Sequence, residues 1–176
     1  MRIKQFAMCP FDALANGVSV FCSQNLGAGK IKRIRKGLWQ GVGVGFIYGL
    51  LIGLVLIFAG RSLAMLFISA DQTAVLDASA KYLRCLGFFY WSLGPLSVFR
   101  MSAQGMGFSG RAIFSGVTEM IARTFVSFAF VGTYGFTAIC FADQTAWVSA
   151  TLYITPVCLM CLRQVTREHE RQRAKI

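Results

Sequence analysis

Acidic side chains are scarce in this chain: seven Asp and Glu stand against eighteen Lys and Arg, with a single histidine among 176 residues. So few carboxylates and imidazoles leave no His/carboxylate metal cluster and no nucleophile–base pair, so no catalytic or metal-ligating residue is expected. Charge of either sign is sparse as well, at 14% of residues. A soluble domain carries about 25%, which excludes an ordinary solvated surface. A secretory leader is also missing, because Met1–Gln5 runs into a segment holding Pro10 and Asp12 with no small-residue cleavage pattern.

What the chain has instead is apolar length. It is 56% hydrophobic, with a mean hydropathy of +0.59. The longest uncharged stretch, Gly37–Gly60, extends over about two dozen residues, enough at ~1.5 Å each to cross ~30 Å of hydrocarbon. Gly37, Gly41, Gly45, Gly49 and Gly53 recur at every fourth position of it. On a helix that spacing makes a strip without side chains, where another helix can approach to backbone contact. Further spans are expected at Phe6–Leu26, Tyr82–Met106, Ala112–Thr133 and Thr145–Leu162, the last interrupted by Pro156. Arg61–Ser69 reads as a continuation or interfacial turn, Ala70–Lys81 as a polar stretch with Asp71 and Asp77, and Tyr134–Gln144 as a connection holding Asp143. The fold class is all-α, a polytopic transmembrane bundle of about five spans.

The net charge of +11 would suggest nucleic acid on a soluble surface. Here the cations cluster in Lys30–Lys36 and Arg163–Lys175, so no nucleic-acid partner is expected and the lipid bilayer is. Threading five spans puts that basic loop, Arg111 and the tail on one side, cytoplasmic by the positive-inside rule. The N-terminus, with Arg2 and Lys4, then lies outside, which points to polypeptide missing upstream of Met1. The cysteines fall within apolar segments, and the Cys158/Cys161 pair reads as packing residues rather than a redox pair.

Charges inside spans are costly, about 2.5–3.5 kcal/mol each on the lenient insertion scale. Glu119 and Arg123 share a helix face at i, i+4, and Arg100 lies at similar depth in the preceding span. This intramembrane cluster either pins helices together or serves as a proton relay or substrate contact. As a buried cluster, Glu119→Gln is expected to destabilise less than Arg123→Ala. Asp12 has no basic residue a turn away, so it is either solvated at the surface or a proton or cation site facing a cavity.

The run SQNLGAGKIKRIRKG followed by a glycine-rich span resembles the passage between the second and third helices of a lobe in multidrug and toxic compound extrusion (MATE) transporters. Arg100-x-x-x-Gln104-Gly105-x-Gly107, then Gly116-x-x-Glu119-x-x-x-Arg123, is similar to the fourth and fifth helices of that lobe in bacterial multidrug branches. The resemblance implies a partial carboxy-terminal lobe at residues 1–162, a cytoplasmic basic tail at 163–176, and a missing amino-terminal lobe as partner. It implies a multi-pass protein of the bacterial inner membrane that exports cationic amphipathic small molecules by alternating access. The full transporter would use no cofactor and would exchange substrate for H⁺ or Na⁺. Asp12, Asn16 and Tyr90 are the expected lining of the substrate cavity. The Na⁺-coupled branch uses carboxylates on the first and fourth helices of this lobe, whereas Tyr82–Met106 holds none. The alternatives are a flippase for lipid-linked oligosaccharides, or a non-transporting subunit that associates through the glycine face.

Overall fold

The computed structural model describes residues 2–66 and 72–174; Asp71 and the Phe67–Ala70 part of the expected interfacial turn lie outside them. Every regular element described is helical. α1 spans Arg2–Gly27, α2 Ile31–Met65, α3 Thr73–Phe89, α4 Leu93–Gly105, α5 Ser109–Tyr134 and α6 Phe136–Arg173. A short 3₁₀ turn, Tyr90–Ser92, joins α3 to α4. Four helices are long and apolar enough to cross a membrane (α1, α2, α5 and α6). α3, the 3₁₀ turn and α4 follow one another without a gap as one further rod, and the all-α bundle of membrane helices expected from the residues is what forms.

The two short turns at the basic end are built alike. After α1, Gly29 adopts φ +66°, its N–H bonds to the Leu26 carbonyl, and the Lys30 N–H bonds to Asn25. After α4, Gly107 at φ +92° repeats the pattern, with Gly107 bonded to Gln104 and Phe108 to Ala103. Both are Schellman closures, which need a left-handed residue that glycine supplies without strain. They let α2 and α5 start at once, on the same side of the bundle.

Several boundaries differ from the sequence expectation. Lys30–Lys36 is not a loop, since α2 begins at Ile31 and runs 35 residues to Met65. At about 52 Å it outreaches the hydrocarbon at both ends, so its basic first turns stand beyond the core of the bilayer. Tyr134–Gln144 is not a connection either: Gly135 alone separates α5 from α6, which starts at Phe136 and carries Cys140 and Asp143 inside its first turns. Pro156 does not interrupt α6; its ring sits on the exposed side, where losing one backbone donor is tolerated. Pro95 falls in the first turn of α4, where a missing N–H leaves nothing unpaired. The 3₁₀ turn just before it is where the third span leaves α-helical geometry.

The glycine strip of α2 packs within the chain. Gly41, Gly45, Gly49, Gly53 and Gly60 are all buried. A Cβ on Gly49 would lie 2.8 Å from the Trp91 Cα, and one on Gly45 3.1 Å from the Gly94 Cα. Gly87 answers Gly53, since a Cβ on it would lie 2.6 Å from the Gly53 carbonyl oxygen. Glycines on both sides therefore bring α2 into backbone contact with the α3–α4 rod. α4 lies centrally, touching α1, α2, α5 and α6. Tyr90 and Phe11 fill the core beside Trp147 of α6, and Cys22, Cys158 and Cys161 are fully enclosed there as small packing residues. The outer shell is apolar, with Phe58 and Phe128 exposed as lipid-facing side chains are.

Candidate functional site

α5 is the most exposed of the long helices, packing chiefly along α6. Among its described residues only Ala112, Ser115 and Val126 are buried, and Phe114, Met120, Ile121, Phe125 and Phe128 point outward. Beyond that packing, its polar side chains join those of four other helices in a continuous chain of contacts.

The chain begins at the first turn of α1, where Lys4 Nζ lies 2.6 Å from Asp143 Oδ2 in α6. The Tyr82 hydroxyl of α3 donates to the same oxygen at 2.7 Å. Arg123 of α5 reaches the other carboxylate oxygen through Nε at 3.1 Å, and its Nη2 donates to Glu119 Oε1 at 3.2 Å. Glu119 Oε2 accepts from Arg100 Nη2 of α4 at 2.8 Å. Arg100 Nε donates to Ser115 Oγ at 2.7 Å, and that hydroxyl bonds back to the Ala112 carbonyl. Lys4 also sits 5.1 Å from the centre of the Trp147 ring, a favourable place for a cation.

Three cations thus alternate with two carboxylates, each carboxylate side chain 17% exposed. Arg123 is the only member of the chain in contact with both acids, and at 45% exposure it is the most open of the three cations. The arrangement ties five helices, and protonating either carboxylate would release one hand of Arg123 and loosen α5. Glu119 takes both guanidinium groups that the sequence placed within its reach. The sequence does not single out Asp143 and Lys4, because Asp143 falls in a stretch that reads as a connection between spans. The available signal was that the threading put both residues on the same side of the membrane.

The three residues expected to line a cavity are not brought together. Tyr90 is fully enclosed, its ring centroid 5.7 Å from Phe11 and 5.8 Å from Trp147, with its hydroxyl donating to the Lys4 carbonyl. Asp12 and Asn16 lie on the exposed side of α1, and Asp12 has no ion-pair partner among the described residues. With Gln5, Cys9 and Ser23, they form an open polar stripe at helical spacing along one side of the helix. Among the described residues no group of three or more His, Cys, Asp or Glu can hold a metal ion.

No curated protein and no solved structure matches the chain. The MatE family profile matches residues 1–128, from the start of α1 to most of the way along α5. That covers the glycine strip, the central rod and the Arg100–Glu119–Arg123 cluster, and it makes this chain a member of the MatE family of membrane transporters.

Proposed function

We propose that this bundle acts as one lobe of an antiporter that exports cationic amphipathic molecules in exchange for H⁺ or Na⁺. The observation that carries the reading is the polar stripe of α1. An exposed carboxylate with an amide one turn on cannot face lipid without cost, since hydrocarbon offers neither hydrogen bonds nor counter-charge. The stripe therefore walls an aqueous cavity against a second body, as an alternating-access carrier requires. That second body is a second lobe or a second copy of this bundle. Asp12 supplies the negative charge for an organic cation or a coupling proton, Asn16 a neutral hydrogen-bonding contact beside it, and Tyr90 supports α1 from behind. The ion-pair chain keeps α4, α5 and α6 moving as one piece. The basic ends of α2 and α6 face the cytoplasm of a bacterial cell.

Two rival readings lose ground. Arg100 and Arg123 both engage Glu119, so neither is a free cation for a lipid pyrophosphate. The glycine face is covered by the α3–α4 rod, so it is not open to another subunit. Asp12→Asn in the assembled transporter is expected to lower ion-gradient-dependent ethidium efflux about tenfold without changing folded yield. Efflux at the unmodified level would remove Asp12 and its stripe from the mechanism.

A further inference from the structure

At the basic end, the start of α2 and the end of α6 enclose a groove of about 1030 Å³. Lys30, Lys32, Arg33 and Arg35 line it from α2, and Arg163 and Arg167, one turn apart, line it from α6. None of these six forms an ion pair among the described residues, and Glu170 is the one carboxylate on the lining. His169 of α6 closes one side of the groove, its ring lying against Gly29 in the turn before α2. No acidic residue sits in the first turn of α2 and no side chain caps it, so the positive end of that helix adds to the field instead of being offset. Deeper in the groove the lining turns apolar, with Leu159, Leu162 and Trp39, which is 47% exposed and packs edge-on against Phe99.

We propose that this groove is a binding site for an anionic glycerophospholipid, its phosphate between the α2 and α6 cations and its acyl chains running past Trp39 and Leu159. Charge complementarity selects an anion, since six like charges crowd one opening with a single carboxylate to offset them. The apolar floor selects an amphiphile over a free phosphate, because only a lipid supplies headgroup and chains at the depth where an interfacial tryptophan lies. The site stands apart from the ion-pair chain and from the α1 stripe, so it does not depend on which ion or substrate is carried. Its occupancy would brace the basic ends of α2 and α6, both of which pack on α4.

The test uses the full chain, purified and reconstituted in nanodiscs of mixed phosphatidylglycerol and phosphatidylcholine. Co-purifying lipid is read by mass spectrometry and thermal unfolding is followed in parallel. The unmodified chain is expected to retain phosphatidylglycerol over phosphatidylcholine and to unfold at higher temperature with it. The variant Lys32→Gln/Arg33→Gln/Arg163→Gln/Arg167→Gln should lose that preference by about tenfold or more. The charge-keeping Arg163→Lys/Arg167→Lys should hold most of it. Equal retention of both lipids by the unmodified chain would overturn the proposal without recourse to any variant. An equal thermal shift with glycerol phosphate alone would overturn the lipid assignment and leave a soluble-anion site.

Discussion

Arg123 is tied to two carboxylates, and each of them has another cation. Without it, Asp143 keeps Lys4 and the Tyr82 hydroxyl, and Glu119 keeps Arg100. Glu119 is different: among the described residues, taking away its charge leaves Arg100 with only Ser115 to donate to, besides a weakly accepting amide. The ordering expected for a simple buried cluster is therefore reversed. Arg123→Ala should cost about 0.5–1 kcal/mol, in the range of a solvent-screened pair. Glu119→Gln should cost ~2–3 kcal/mol, because it strands a half-buried guanidinium. Thermal unfolding of both variants in detergent gives the comparison, and equal losses would mean that Arg123 is doing more than bridging. Beside these ion pairs, Gln144 is enclosed with neither its amide oxygen nor its nitrogen hydrogen-bonded among the described residues. An unpaired buried amide costs about 1–3 kcal/mol. Gln144→Met, close in shape, should leave the unfolding temperature unchanged or raise it.

At the scale of elements, the contact between α2 and the α3–α4 rod separates glycines that are needed from glycines that are not. A Cβ on Gly49 meets backbone at Trp91 and Tyr90, which cannot swing aside as a side chain can. A Cβ on Gly43, one helical face away, meets nothing within 4 Å among the described residues. Gly49→Ala should thus destabilise by ~2–3 kcal/mol through forced separation of the helices. Gly43→Ala should be neutral or stabilise by up to ~1 kcal/mol through helix propensity. Matched unfolding curves of the two single variants test the packing assignment. The double change Gly45→Leu/Gly49→Leu should leave little folded protein, and wild-type yield from it would mean the strip faces lipid or a cavity.

For the molecule as a whole, the carrier role proposed for the α1 stripe calls for a second body, because one rigid body cannot alternate access around a site and hydrocarbon would leave Asp12 and Asn16 unsatisfied. Vesicles containing only these 176 residues are therefore expected to show no ion-gradient-dependent ethidium efflux when the bundle is kept monomeric. Efflux that rises with crosslinked dimer would identify a second copy as the second lobe. Efflux from the monomer would sink the two-body reading.

The residues alone determined the class of protein, because hydrocarbon length and charge exclusion are local requirements that any helix crossing a bilayer must meet. The glycine spacing likewise announced a close helix contact, and Glu119 announced its pairing with Arg100 and Arg123 through depth and turn count. Which helix would cover the glycine strip was not legible, since a bare strip accepts any partner with small residues opposite, and Gly87 and Gly94 have no pattern of their own. Asp143 was not legible for another reason: Tyr134–Gln144 falls between two expected spans and reads as a connection, whereas it is helical and packs on α3 and α5, where its carboxylate meets Tyr82 and Arg123. Tyr90 and Asp12 show the same division. Both have polar groups suited to a cavity, but the fold turns one hydroxyl toward the Lys4 carbonyl and leaves the other side chain on an open face. Whether a polar group is satisfied inside the bundle depends on neighbours distant in sequence, and those neighbours exist only once the helices have packed.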